Sequence, residues 1–185
     1  MQKQVYLGLG SNQGNKLAHL QRAVAALRAH PQICVKSASS LYGSTPVGLE
    51  EQEDFLNAVL FVETSLAPTE LMQATKNMEA ESGRQKGIHW GPRTLDIDLL
   101  LYEDQIIKTE KLNIPHKEME KRSFVLVPLL ELNCDIIIPG LGKAANFLPH
   151  TANKDVWLLT GPEWAKITPG RKEQQSSKNP QGANN

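Results

Sequence analysis

The run Thr94-Leu95-Asp96-Ile97-Asp98-Leu99-Leu100-Leu101 constrains this chain more than any other segment. Its alternation predicts a strand with Leu95, Ile97, Leu99 and Leu101 on one face, toward a core, and Asp96 and Asp98 projecting together from the other. Two residues of strand rise set those Cβ atoms about 6.5 Å apart. At an effective dielectric of about 20, the two carboxylates repel by roughly 2.5 kcal/mol. A divalent cation, or a pair of them, turns that repulsion into a ligand set. Magnesium suits it best, because it takes one or two carboxylates, several waters and substrate phosphates. Arg93, just upstream, supplies a fixed fork for a phosphate. An Asp-x-Asp alone is more often the solvated side of an amphipathic strand. The Trp90-Gly91-Pro92-Arg93 directly before it tips the balance toward a site.

The rest of the chain places that strand in a mixed fold. Val5, Leu7 and Leu9 alternate in a first strand, and Leu17, Leu20, Val24 and Leu27 mark one face of a helix that closes before Pro31. A second strand is expected over about 33–42, a loop over 43–54, and a third strand from Asn57. Pro68 suits the first turn of a helix reaching about Ser82, with Gly83 as its stop. The order β-α-β-β-α-β is that of a ferredoxin-like split βαβ core, an α+β fold with a mainly antiparallel sheet and helices packed on one face. C-terminal additions follow: a short extended segment over 111–116, an apolar helical or turn-rich segment over 124–132, and a last strand at 136–138. Residues 1–164 are expected to form one catalytic domain and 165–185 a polar, disordered tail.

Composition removes several function classes. Twenty basic and twenty acidic residues cancel, so no global field favours nucleic acid or an anionic membrane. No apolar run reaches transmembrane length and no signal segment opens the chain, so a cytoplasmic location is expected. Cys34 and Cys134 lack C-x-x-C spacing and read as buried thiols of a reducing compartment, not a disulfide or zinc site.

Four groups of residues remain as candidates for chemistry. Gly8, Gly10, Gly14 and Lys16 fit neither a Walker A loop nor a dinucleotide fingerprint, and read first as a tight strand-to-helix turn. Their density of Gly and Asn nevertheless suits close approach by a substrate or a neighbouring loop. Arg84, Lys86, His89 and Arg93 gather cations beside the acidic pair, as phosphate clamps would. Lys111, His116, Lys117, Lys121 and Arg122 are a second such group. Phe55, Asn57, Trp90 and Phe124 offer aromatic faces and an amide to a flat heteroaromatic ligand, against an alternative of plain core packing for Phe55 and Phe124.

Taken together, the motifs resemble one family. Gly10-Ser11-Asn12, Ser44-Thr45-Pro46-Val47-Gly48, Asp54-Phe55-Leu56-Asn57-Ala58, Glu79, Gly83-Arg84, the 90–98 run, Ile114-Pro115-His116 and Arg122-Ser123-Phe124 occur in the order seen in 6-hydroxymethyl-7,8-dihydropterin pyrophosphokinases. The resemblance spans about residues 4–150 and implies transfer of pyrophosphate from ATP to the pterin hydroxymethyl group, releasing AMP, in folate biosynthesis. It implies that Asp96 and Asp98 hold two magnesium ions and that Arg84 and Arg93 stabilise the transferring group. By the same resemblance Phe55 and Phe124 sandwich the pterin, and Ser44, Pro46, Val47, Asn57 and Trp90 complete its site. Glu79, Arg84, Lys86, Trp90, Arg93, Ile97, Lys111, Asn113, His116, Lys117 and Arg122 fall where the family binds ATP. Lys86 and Lys111 stand where arginine is common, which keeps the charge but loses the bidentate fork. A monomer is expected, with no nucleic-acid or membrane partner. Two other readings compete: a catalytically silent pterin- or nucleotide-binding regulator, and a metal-dependent phosphohydrolase of similar layout. The intact Asp96, Asp98, Arg84 and Arg93 argue against the first; the second needs a positioned water in place of a pterin slot.

Overall fold

Along the first strand, β1 (Lys3–Ser11), Val5, Leu7 and Leu9 are buried on one side while Tyr6, Gly8 and Gly10 take the other. That alternation separates the two faces of the sheet. The computed structural model describes residues 1–46, 52–82, 93–151 and 156–166. After β1 come α1 (Lys16–Ala29), β2 (Ile33–Ala38), β3 (Leu41–Ser44), β4 (Phe55–Thr64), α2 (Pro68–Glu81) and β5 (Asp96–Tyr102). The Asn15 side chain starts α1 by accepting from the Ala18 N–H at 3.1 Å. Pro68 and Glu70 start α2, Glu70 accepting from the Ala67 N–H at 2.7 Å.

β1 and β4 form the centre of the sheet, β5 pairs with β1, and both β2 and β3 pair with β4, every pairing antiparallel. The single strand expected over 33–42 is therefore two. The break lies at Ser39 and Ser40, whose groups bond outside a regular ladder: Ser39 Oγ accepts from the Val59 N–H at 2.9 Å, and the Ser40 N–H donates to Glu131 at 3.0 Å. β3 runs on to Ser44, into the region expected to be loop.

One face of the sheet packs on α1 and α2 through Leu20, Val24, Leu27, Leu71, Leu95, Ile97 and Leu99. The opposite face packs on α3 (Ser123–Leu132) through Val59, Leu100, Val125, Leu126 and Leu129, so helices cover both faces, not one. Leu101 corrects the expected alternation. A bulge shifts the register so that Leu7 opposes Leu99 while Tyr6 opposes Leu101. Leu100 and Leu101 therefore both pack toward α3, and Tyr102 rejoins the first core. Asp96 and Asp98 precede the bulge and keep their shared face. Leu17, counted on the apolar stripe of α1, is 37% exposed.

The smaller pieces follow. β6 (Ile107–Lys108) pairs with β7 (Asn113–Ile114), and β8 (Ile137–Ile138) with β9 (Gly142–Lys143). The strand expected near 136–138 is thus half of a separate hairpin. Unforeseen in the sequence, β10 (Val156–Thr160) adds to the main sheet beside β3. Beyond it Trp164 is buried, its Nε1–H donating to the Ser39 carbonyl at 2.8 Å. Ala165 is buried too, its carbonyl accepting from Arg28 at 2.9 Å. Cys34 and Cys134 are exposed, contrary to expectation. Cys34 follows buried Ile33 on alternating β2, and Cys134 sits in the turn after α3. No helix among the described residues is long and apolar enough to cross a membrane.

Candidate active site

The register of the sheet assembles the site on the face that turns toward α3. Tyr42 opposes Asn57, Asn57 opposes Gly10, and Gly10 opposes Asp96, so these four residues form one row across four strands. The next row runs Val59, Gly8, Asp98. Residues in a row share a face. Each row therefore carries a side chain on β4, nothing on β1 and a carboxylate on β5. The two glycines are a floor rather than the turn their spacing first suggests. A Cβ on Gly10 would lie 3.7 Å from Asn57 Oδ1 and 3.9 Å from Asp96 Cβ; one on Gly8 would press on Leu100 at 3.3 Å. Gly14, at φ +59°, is the residue that makes the turn.

Over this floor lies a cleft lined by Ser44, Thr45, Phe55, Asn57, Arg93, Asp96, Asp98, Arg122 and Phe124, together with Gly8, Gly10 and Leu100. Asn57 is buried and donates to Ser44 Oγ at 2.9 Å, which fixes its amide edge. Phe55 comes from the start of β4 and Phe124 from the first turn of α3, so the two rings reach the cleft from different elements. The Arg122 guanidinium carbon stands 5.9 Å from the Phe124 ring centroid. Glu131, at the other end of α3, ties that helix to β3 by accepting from Ser40 Oγ at 2.7 Å and Tyr42 OH at 2.8 Å. Burial and the Glu131 carboxylate push the Tyr42 hydroxyl pKa up to about 12.

A second cleft adjoins the first. Its walls are Met72, Thr75 and Lys76 of α2, Ile97 to Leu99 of β5, and Lys111, Leu112, Asn113, His116 and Lys117. Asp98 lines both clefts. His116 Nε2 lies 3.8 Å from Asp98 Oδ2, while Arg93 pairs directly with Asp96. Burial raises the Asp98 carboxyl above the ordinary carboxylate range and repulsion from Asp96 adds to it, opposed by His116, Lys76 and Arg122. A cation placed beside Asp96 and Asp98 would offset that repulsion.

Most residues expected in a site are brought together. Arg93, Asp96, Asp98, Ser44, Phe55, Asn57 and Phe124 share the first cleft; Ile97, Lys111, Asn113, His116 and Lys117 share the second. Three sit elsewhere than expected. Arg122, read as a nucleotide residue, lines the first cleft beside Phe124. Pro46 is half-buried and Thr45 lines the cleft in its place. Glu79 is buried behind the second cleft, its Oε1 accepting from the Ile97 N–H at 2.9 Å and from Lys76 Nζ at 2.8 Å. It fixes the backbone between the two aspartates. Val47, Arg84, Lys86 and Trp90 lie outside the described residues. Thr45 and Lys76 were missed as lining residues, while Gly8 and Gly10 were read first as a turn, with close approach by a substrate as the alternative. The period-2 pattern of β1 puts both glycines on the face opposite Val5, Leu7 and Leu9 and so held the signal for them; Lys76 had none beyond its place on α2.

The model of the family described as 7,8-dihydro-6-hydroxymethylpterin-pyrophosphokinase (HPPK) matches residues 6–134. The chain belongs to that family. Among its HPPK relatives, the 2-amino-4-hydroxy-6-hydroxymethyldihydropteridine pyrophosphokinase of Bacillus subtilis is 46% identical over 127 residues, covering 69% of this chain and 76% of that one. The enzyme of the same name from Aquifex aeolicus is 44% identical over 135 residues, covering 73% and 83%. In three dimensions the chain is similar to the Plasmodium falciparum HPPK-DHPS wild type crystallised with STZ-DHP, with a TM-score of 0.64 at 15% identity over 81% of this chain and 43% of that one. That likeness extends the HPPK assignment to the fold: mixed helix and antiparallel sheet.

Proposed function

We propose that this HPPK chain transfers pyrophosphate from ATP to the hydroxymethyl group of 6-hydroxymethyl-7,8-dihydropterin, giving the pterin diphosphate and AMP in folate biosynthesis. Two adjoining clefts that share Asp98 are the observation that carries the reading. A transferase must hold donor and acceptor side by side around one acidic centre, whereas a hydrolase needs one pocket and a positioned water. In this reading Phe55 and Phe124 stack on the two faces of the pterin while Asn57, held by Ser44, reads its polar edge. The floor of Gly8 and Gly10 lets the flat ring lie against the strand between Asn57 and the aspartates. Lys111, Asn113, His116 and Lys117 take the nucleotide, and the family resemblance adds Arg84, Lys86 and Trp90 to that role.

The donor set fits magnesium. Two neighbouring carboxylates, one already strained by the other's charge, leave room for waters and phosphate oxygens, as magnesium prefers. Bound magnesium would supply Lewis-acid neutralisation of the phosphate charge. Arg93, now the counter-ion of Asp96, would turn its fork to the phosphates, and Arg122 would screen the same charge from the α3 side. His116 beside Asp98 orients the carboxylate toward the place where the two substrates meet. The strand order and the two helices on one face support a ferredoxin-like core, with 1–164 as a single catalytic domain.

The test is AMP release by the purified chain with ATP, magnesium and 6-hydroxymethyl-7,8-dihydropterin. We expect AMP only when the pterin and magnesium are both present, and none from Asp98→Ala at saturating magnesium. AMP or phosphate formed at the same rate without the pterin contradicts the reading in favour of hydrolysis.

A further inference from the structure

Asn12 grips two distant stretches of backbone with one buried carboxamide. Its Oδ1 accepts from the Arg93 N–H at 2.6 Å, and its own N–H donates to the Arg93 carbonyl at 3.0 Å. The Arg93 residue is thus held at both ends. On the other side, Asn12 Nδ2 donates to Gln52 Oε1 at 3.2 Å and to the Glu53 carbonyl at 3.4 Å. Neighbours repeat the pattern. Ser11 Oγ donates to the Thr94 carbonyl at 2.7 Å, and Lys16 Nζ reaches Glu53 Oε2 at 3.1 Å and the Asp54 carbonyl at 3.0 Å. Arg93 pairs with Asp96. Residues 52–54 lead straight into Phe55 and β4.

Asn12 itself lines neither cleft. Resting on the function proposed above, we infer that Asn12 is a positioning residue for the transfer: it sets Arg93 against Asp96 and ties that setting to the segment that delivers Phe55. The Gly10-Ser11-Asn12 motif then acts through hydrogen bonds to two substrate-facing elements, not through contact with substrate. A buried carboxamide suits this task because it accepts on one edge and donates on the other, and both edges are used here. Removing it leaves the Arg93 N–H and the Glu53 carbonyl without these partners, and both segments lose their common reference point. A displacement of about 1 Å in a charge-stabilising group costs roughly 100-fold in rate.

The experiment is a double-mutant cycle on Asn12→Ala and Arg93→Ala, measured as kcat for AMP release, with pterin affinity read by calorimetry and folding by circular dichroism. We expect Asn12→Ala to lower kcat by about 100-fold in the wild-type background and by less than about twofold in the Arg93→Ala background. Pterin affinity falls at least about fivefold, while the KM for ATP changes by less than about threefold. Equal losses of kcat in both backgrounds, or no loss in either, would overturn the positioning role. Asn12→Asp covers the case in which the alanine variant does not fold. It keeps the acceptor for the Arg93 N–H and loses the donor to Gln52 and Glu53. We therefore expect kcat within about fivefold of wild type with pterin binding still weakened. A kcat as low as that of Arg93→Ala, or unchanged pterin affinity, would overturn the inference. A wild-type control that releases no AMP overturns the functional reading as well; an active wild type with additive losses overturns the positioning role alone.

Discussion

Asp98 is half-buried beside Asp96, and its surroundings hold its carboxyl above the ordinary pKa. Burial and the Asp96 charge both raise its pKa, so the folded chain holds that proton more tightly than the unfolded chain does. The sign follows directly. Below the unfolded value of 3.8 the protonated carboxyl is tolerated, and stability is lost as pH rises through the elevated folded value. Asp98→Asn removes that loss. In EDTA its melting temperature should match that of the wild type near pH 3, rise above it as pH increases, and stay above it at neutral pH. The same variant should turn over at least about 100-fold more slowly, because several kcal/mol of charge neutralisation leaves with the carboxylate. Thermal melts across pH, with and without magnesium, check both halves. A neutral-pH melting temperature at or below that of the wild type would mean that Asp98 is a satisfied surface acid.

At the scale of the element, β1 shows how a strand can be both core and floor. Its odd positions, Val5, Leu7 and Leu9, fill the core under α1, and its even positions include Gly8 and Gly10 facing the cleft. Glycine inside a strand costs roughly 0.5–1 kcal/mol relative to alanine, so its use twice on one face calls for a reason. Gly10→Ala supplies the test, since the added carbon meets only ordinary contacts at 3.7 and 3.9 Å. The variant should melt at or slightly above the wild-type temperature, by about 0.5 kcal/mol, while pterin affinity falls about tenfold because the methyl group occupies the ligand's plane. Reduced stability with unchanged affinity would return Gly10 to a purely structural role. The alternation of β1 was visible in the sequence, but the partner rows were not. Neighbours such as Asn57 and Asp96 are set by register between strands far apart in the chain. The misplaced Leu101 has the same origin, because the bulge opposite Tyr6 and Leu7 is a property of the β1–β5 pairing and leaves no mark on β5 itself. Asp96 and Asp98 were readable because they precede that bulge.

For the whole molecule, the described C-terminal residues belong to the fold. Trp164 is buried against the sheet and α1, with its indole N–H bonded to the Ser39 carbonyl and the Trp164 carbonyl accepting from Gln21 at 2.9 Å. Trp164→Ala should cost about 3–5 kcal/mol, read by urea denaturation; a loss under about 1 kcal/mol would show that the segment merely rests on α1. The boundary expected after residue 164 kept Trp164 in the domain but left buried Ala165 to the tail, because a single alanine makes no periodic pattern. Composition misled in the same way over Cys34 and Cys134: Ile33 and Ile136 nearby are buried while the thiols are not. The two clefts, by contrast, were legible as separate lists of residues, and only the fold joins them at Asp98. The proposed pyrophosphate transfer makes a definite claim about which bond breaks: the pterin oxygen attacks the β-phosphorus and AMP leaves. ATP labelled separately at the α-, β- and γ-phosphorus, followed through a single turnover with the pterin, tests it most directly. The account predicts that the β and γ labels both arrive on the pterin and the α label leaves as AMP. Transfer of the γ label alone with release of ADP, or the appearance of the β and γ labels as free pyrophosphate with the pterin unlabelled, would contradict it.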